Sequence, residues 1–461
     1  MSESKEKIIT SPLSGFMELL PAEQILFNKL FDTIRQTYEA FGFIPVDTPV
    51  LERTEVLLAK AGGETEKQIY QFTKGDTNLA MRFDLTVPLA RYVAEHCGHL
   101  NFPFKRYSMA KVFRGERPQA GRFREFYQCD IDVIGDGELD IHFDAEIPSV
   151  IYMIFRKLGF ERFTIRINNR KVLNGFFASL GAQNISTSIM QIIDKLEKIG
   201  AEKVREELQN FGLTTQAIDQ ILSFINLTHS CGTQAGNTQS GDIQSGKTQS
   251  SQDIIARLKN LNIQNDQFIQ GVEELASVAS LIKELGVPDS NFAIDLTIAR
   301  GLDYYTGTVY ETRLDDYPEI GSVCSGGRFD DLASHYTDRK LPGVGISIGL
   351  TRLFDQLCKK GVLNPGVSTP TRVLILPMME DMAPSLSLAT QLRNNGIPTE
   401  ISFVQGKMKK RLGYADKLGI PFAVFIGEDE VAKGTYTLKD LKTGTQEELN
   451  LEKILQKLSA F

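Results

Sequence analysis

Cysteine and histidine are both scarce and dispersed in this chain of 461 residues. The cysteines, Cys97, Cys129, Cys231, Cys324 and Cys358, are odd in number and far apart, which argues against a disulfide or zinc framework and for reduced thiols in a cytoplasmic protein. The histidines are scattered as widely, so a His/Cys metal site has little support. No apolar run approaches the roughly 18 residues a membrane span needs. The polar, charged stretch Met1 to Lys7 reads as neither a signal nor a transit peptide. Positive charge is not in excess either: the net charge is −7, so a nucleic-acid partner must meet a local basic patch.

What remains is an ordinary globular composition, 42% hydrophobic and 9% aromatic, which excludes disorder of the whole chain. The length calls for two or three domains. Pro21 to Gly42 carries Phe27, Leu30, Phe31, Ile34, Tyr38 and Phe41 at helical spacing. Strands are expected at Phe43–Val50, 79–92, 104–114 and 123–134, the last two joined by a loop containing Pro118 and Gly121. A helix follows over about Glu138–Leu158, then a strand at 163–170 and a largely helical stretch over 171–230. Strand character returns at Phe292–Ile298, Thr308–Leu314 and Val344–Ile348, with a helix from about Gly349. A linker rich in Gly and Pro precedes alternating strands (373–377, 399–403, 422–427, 435–440) and helices (380–395, 406–418), the pattern of a small α/β domain with a partly parallel sheet.

Within the helical insertion, Cys231 to Gln252 contains three near-copies of a five-residue unit and reads as a flexible surface loop. There, Gly241-Asp-Ile-Gln-Ser-Gly246-Lys247-Thr248 matches the phosphate-binding P-loop pattern. The match is rejected, because no buried strand precedes it and no helix follows whose N-terminus could face a phosphate. Its glycine spacing is that of the surrounding repeat.

Two arginine-rich stretches carry more weight. Phe113 to Asp132 holds Arg114, Glu116, Arg122, Phe123, Arg124, Phe126 and Gln128; the other is Ala299-Arg300-Gly301-Leu302-Asp303-Tyr304-Tyr305-Thr306-Gly307. Arginine presents a planar, permanently charged fork of donors that fits phosphate and stacks on rings. The first stretch can therefore grip a polyphosphate and a base, or be a solvated hairpin. In Met81-Arg82-Phe83-Asp84-Leu85-Thr86, a strand would set Asp84 and Thr86 on one face, suiting an ammonium group; the alternative is an exposed strand face or a helix cap. Cys324-Ser-Gly-Gly-Arg-Phe-Asp-Asp331 brings glycines that allow close approach to a ligand, and Gly343–Arg352 is a small-residue strand leading into a helix. Lys407, Lys409, Lys410 and Arg411 form a basic run at a helix start, free to meet phosphate or water.

These motifs together resemble the class II aminoacyl-tRNA synthetases, and within them the histidyl-tRNA synthetase family, over nearly the whole chain. The helix ending at Gly42 with the strand reaching Pro49 is similar to the class's first motif, Phe113–Asp132 to its second and Gly343–Arg352 to its third. Leu302–Gly307 and Ser325–Asp330 are similar to the two blocks peculiar to the histidine enzymes, and the run from Lys407 through Gly427 to Leu441 resembles their anticodon-binding domain. The resemblance implies an α+β fold: an antiparallel-sheet catalytic domain (1–170 and 289–360) with a helical insertion (171–288), a linker (361–371) and a C-terminal α/β anticodon-binding domain (372–461). It implies ligation of L-histidine to histidine tRNA through an adenylate, with ATP and Mg²⁺, in a cytoplasmic homodimer without membrane attachment. Arg114 and Arg300 would grip the α-phosphate and Arg352 the γ-phosphate; Glu116, Arg122 and Phe126 would complete the ATP site. Asp84, Leu85, Thr86 and Gln128 would hold the amino group, while Asp132, Tyr304 and Tyr305 would read the imidazole. Metal ligands are not assigned. The rival readings are a non-catalytic regulatory paralogue, a tRNA-binding or histidine-sensing module, and a class II enzyme for another amino acid.

Overall fold

The computed structural model describes residues 8–59, 66–119, 121–228, 250–298, 304–404 and 406–459. Contacts divide the chain into two units, residues 1–17 with 31–357 and residues 18–30 with 358–461.

The first unit is built on a sheet whose strands run in the order β1 (Ile44–Pro45), β5 (Phe104–Phe113), β6 (Glu125–Ile134), β11 (Gly343–Gly349), β10 (Ser322–Phe329), β9 (Thr308–Leu314), β7 (Phe163–Asn169) and β8 (Phe292–Ile294). Pairing is antiparallel through the middle and parallel only at the ends, β1 with β5 and β7 with β8. A smaller antiparallel sheet places β4 (Thr77–Met81) between β2 (Leu51–Arg53) and β3 (Gln71–Lys74).

Period-two alternation decides which face of the large sheet is core. On β6, Cys129, Ile131 and Val133 are fully buried, while Gln128, Asp130 and Asp132 take the alternate positions. Helices close the apolar side: the Tyr38 hydroxyl of the helix Pro21–Ala40 donates to the Cys129 carbonyl at 2.8 Å. The Tyr310 hydroxyl donates to the Asp144 carbonyl of the helix His142–Lys157 at 2.7 Å. The polar side carries the functional groups.

Several elements differ from the sequence-based expectation. The strand expected over 79–92 stops at Met81, and a helix occupies Thr86–His96. Its N-terminus tolerates Pro88, whose missing N–H would have no helical acceptor there, and Val87, Leu89, Ala90 and Val93 give it a buried face. The strand expected from Phe43 to Val50 is only Ile44–Pro45, and that from Phe292 to Ile298 ends at Ile294. Strand β10, unassigned in the sequence, runs through a glycine pair. Most of the repeat tract, and with it the P-loop-like Gly241–Thr248, lies outside the described residues. Its end does not belong to a loop: Ser250 caps the helix Ser251–Asn260 by accepting the Asp253 N–H.

In the second unit β12 (Val373–Pro377) lies between β13 (Thr399–Ile401) and β14 (Phe422–Ile426), all parallel, and β15 (Tyr436–Asp440) and β16 (Gln446–Leu449) extend the sheet antiparallel. Apolar clusters cover both faces, one around Val373, Ile375 and Val424, the other around Leu374, Leu376 and Ala423. At the start of the helix Met408–Leu418, Lys407, Lys409 and Lys410 are exposed. Arg411 is not: it donates to the Pro377 carbonyl at 2.8 Å and to Ser402, tying helix to sheet. Among the described residues, no helix is long and apolar enough to cross a membrane.

Candidate active site

Strand register assembles the site. Reading across five strands on the polar face, one rung is Ser108, Asp130, Ser347, Ser325 and Glu311; the next is Arg106, Asp132, Gly345, Gly327 and Val309. The second rung is bare at its two glycines for a steric reason. A Cβ on Gly345 would come within 2.3 Å of Asp132 Oδ1, and one on Gly327 within 2.9 Å of the Tyr305 ring. Tyr305 can lie on the sheet only where the backbone has no side chain.

Above this face opens a cleft of about 550 Å³ lined by Asp84, Thr86, Arg114, Glu116, Arg122, Phe123, Phe126, Gln128, Asp130, Tyr304, Tyr305 and Arg352 among others. Segments far apart in sequence thus meet in one cavity. Along β6 the lining passes from Phe126, with the arginines, to Gln128 and Asp130, with the carboxylates.

Arg114 follows β5 and is held in place. Its Nε donates to the Phe83 carbonyl at 3.0 Å, its guanidinium sits 5.1 Å from the Phe126 ring centre, and its N–H donates to the Arg124 carbonyl. Arg122 and Phe123 lie on the loop before β6 rather than in the strand. Arg122 is exposed and pairs loosely with Glu116 at 3.3 Å, so it is free to turn toward an anion. Arg352, on the helix Leu350–Lys359, donates to the Ile320 carbonyl.

Asp84 and Thr86 reach the cleft from the start of a helix rather than from a strand face, Asp84 in the helix-capping role that the sequence leaves open. Asp84 Oδ1 accepts the Val87 N–H at 3.1 Å, and Oδ2 is buried with no partner among the described residues. Leu85 departs from its assigned place: its side chain packs with Ala110, Val112 and Phe126 in an apolar cluster. Gln128 Nε2 donates to Ser347 Oγ at 2.8 Å, leaving Oε1 without a partner among the described residues. The Tyr304 and Tyr305 rings meet edge to face at 4.8 Å, and Tyr304 also engages Thr86. Burial pushes both hydroxyls upward, so they remain protonated donors.

Asp132 is also differently placed. It does not line the cleft; its Oδ2 lies 2.6 Å from Nη2 of Arg106, which is 1% exposed. The cleft-facing carboxylate on β6 is Asp130, and one missed signal was its position midway between Gln128 and Asp132 on one strand face. Burial raises the Asp84 and Asp130 carboxyls to about 6 and that of Asp132 to about 7; Arg106 pulls each back only in part. Arg106 itself carried no sequence signal beyond a charge among β-formers. Arg328, in the glycine block, turns away from the cleft into a buried pair with Asp144 at 2.6 Å. Arg300 lies outside the described residues. Among the described residues, no cluster of three or more His, Cys, Asp or Glu side chains could hold a metal ion.

The cleft joins an arginine-rich end to a carboxylate end within an antiparallel sheet, and the sequence around it matches a family model. The model for histidyl-tRNA synthetase spans residues 15–353, and one for an anticodon-binding domain spans 372–461. The chain belongs to the histidyl-tRNA synthetase family. It is similar to the histidine--tRNA ligase of Clostridium tetani, 55% identical over 453 residues and covering 98% of each chain. The histidine--tRNA ligase of Xanthomonas campestris pv. campestris is 47% identical, over 93% of this chain and 91% of its own. Among solved structures, the histidyl-tRNA synthetase of Nostoc sp. PCC 7120 superposes with a TM-score of 0.86 at 42% identity, covering 98% of this chain and 100% of its own. As a class II aminoacyl-tRNA synthetase by family, the chain has the expected α+β architecture.

Proposed function

We propose that this chain attaches L-histidine to histidine tRNA in two steps at the cleft just described. One observation carries the reading: a single cavity presents Arg114, Arg122, Arg352 and Phe126 to a nucleotide triphosphate, and Asp84, Thr86, Gln128, Asp130 and Tyr305 to a small amino acid. The histidine carboxylate oxygen attacks the α-phosphorus of ATP. A new P–O bond forms, the bond to the bridging oxygen breaks, and pyrophosphate leaves with its electron pair. A terminal ribose hydroxyl of the tRNA then attacks the acyl carbon, and AMP leaves.

The protein aligns these groups and stabilises charge rather than forming bonds of its own. Arg114, fixed by Phe83 and Phe126, meets the α-phosphate on one side, and Arg300 is proposed to meet it on the other. Arg352 takes the γ-phosphate, with Glu116, Arg122 and Phe126 around the nucleotide. Mg²⁺ carried in by ATP would supply further positive charge to its phosphates beside Arg114 and Arg352. Asp84, Thr86 and Gln128 receive the ammonium group. Tyr305 and the β6 carboxylate Asp130 address the imidazole, Asp132 backs them from its pair with Arg106, Tyr304 orients its neighbour, and the Leu85 backbone shapes the wall between Asp84 and Thr86.

In this reading residues 1–170 and 289–360 form the catalytic domain, 171–288 the insertion, 361–371 the linker and 372–461 the anticodon-binding domain. The working unit is a cytoplasmic homodimer. The exposed Lys407, Lys409 and Lys410 offer the second unit's local basic patch for tRNA.

ATP–pyrophosphate exchange with histidine, and then with each other amino acid, tests the proposal. Exchange with histidine alone, followed by charging of histidine tRNA, is expected. Absence of exchange from folded, dimeric protein would instead favour a regulatory paralogue. Arg300→Ala is expected to cut adenylate formation by about 100-fold or more, and unchanged activity would overturn its role.

A further inference from the structure

Arg106 stands apart from every group used so far. It is 1% exposed, the largest side chain among those fully buried, and it does not line the cleft. Its Nη2 donates to the Leu85 carbonyl at 3.1 Å and lies 2.6 Å from Asp132 Oδ2. One nitrogen therefore touches both walls of the amino-acid end: the turn that carries Asp84 and Thr86, and strand β6 that carries Gln128, Asp130 and Asp132. Its Nε and Nη1 have no hydrogen-bond partner among the described residues.

Such an arrangement is costly unless it serves the site. A buried arginine gives up its hydration, and an apolar residue of similar volume would often be at least as stable. Three buried carboxylates nevertheless feel its charge: it is the foremost positive charge acting on Asp130 and Asp132, while Asp84 feels Arg114 first and Arg106 next. Asp84 and Asp130 line the cleft, where the substrate's ammonium group would add a further positive charge. Arg106 also restrains Asp132 through an ion pair that a free aspartate would not make.

We propose that Arg106 is a positioning residue for the amino-acid substrate, holding the Leu85 turn and Asp132 in fixed relation and supplying the buried counter-charge for the carboxylates that receive histidine. The inference rests on the histidine-activating function proposed above. Its effect falls on histidine more than on ATP, because its two contacts, the Leu85 carbonyl and Asp132 Oδ2, belong to the segments that carry the carboxylates.

The test is steady-state ATP–pyrophosphate exchange on the full chain for wild type, Arg106→Met and Arg106→Lys, with circular dichroism and thermal melts confirming folding. Wild type is measured first; failure to exchange with histidine would sink the functional reading, and this inference with it. With wild type active, R106M should raise the KM for histidine on the order of 100-fold while the KM for ATP stays within about 3-fold. R106K, which keeps the charge, should recover part of that loss. An unchanged histidine KM in R106M overturns the proposal, as does a parallel rise in both KM values that lysine does not rescue. Should R106M fail to fold, R106K decides alone: a raised histidine KM with an unchanged ATP KM supports the role. Wild-type behaviour, or an equal change in both, refutes it.

Discussion

Gly345 and Asp132 face each other across β11 and β6 so closely that a single added Cβ would lie 2.3 Å from Asp132 Oδ1 and 2.3 Å from the Ile131 carbonyl. The space that glycine leaves is the space in which the carboxylate sits. Gly345→Ala should therefore destabilise the protein by about 1–3 kcal/mol, the usual cost of overpacking. It should also displace Asp132 and weaken histidine-dependent exchange. Calorimetry and exchange kinetics on the same preparation check both, and an unaltered melting temperature would contradict the crowding argument.

Arg114 is held by its Nε–H bond to the Phe83 carbonyl and by its place over the Phe126 ring, which leaves the rest of its planar fork for phosphate; lysine has no such fork to offer. Arg114→Lys should lower the exchange rate by roughly 100-fold, the scale of losing one donor aimed at developing charge. Most of that loss should appear in kcat, with the histidine KM little changed. A variant whose only defect is a higher histidine KM would place Arg114 in ground-state binding.

The carboxylates of Asp84 and Asp130, held near 6, and of Asp132, near 7, burden the empty protein at neutral pH. Their folded values exceed the unfolded one of 3.8, so between about pH 4 and 7 the fold binds more protons than the unfolded chain. Their contribution to stability is thus fully present below pH 4 and is lost as pH rises through 6 to 7. Asp130→Asn removes one such group while keeping an amide beside Ser347. The ligand-free variant should gain on the order of 1–3 kcal/mol over wild type at pH 7.5 and almost nothing at pH 4. Melts across this range are the check; a gain independent of pH would mean Asp130 does not ionise in the fold.

Arg328 stands in the glycine block that resembles a histidine-specific motif, yet it is spent on the fold. Its guanidinium bonds Asp144 and the Leu139 and Asp140 carbonyls. Arg328→Met leaves Asp144 buried without its partner and should cost about 3–5 kcal/mol. Denaturant unfolding should register that loss, while any protein that still folds keeps a near-normal histidine KM. A stable variant with a selective histidine defect would return Arg328 to the site.

Local signals made much of this molecule legible before any coordinates. The helix from Pro21, strands β5 and β6, the Pro118 loop and the alternating C-terminal elements follow from periodicity and turn residues, which neighbours a few positions away decide. The residues Arg114, Phe126 and Gln128 were legible for the same reason: they share one strand-and-loop unit. Legibility failed where the deciding partner is distant in sequence. Thr86–His96 contains β-formers but buries a helical face. Leu85 turns inward because Ala110 and Val112 wait for it. Asp132 is drawn to Arg106 on the neighbouring strand, and Asp130 is left as the strand's cleft-facing carboxylate. Sequence by itself determined most of the elements, their chemistry and the family to which they belong. Tertiary structure alone decided which charges face the cleft and which are neutralised inside, because burial and ion pairing depend on cross-strand register that no single segment encodes.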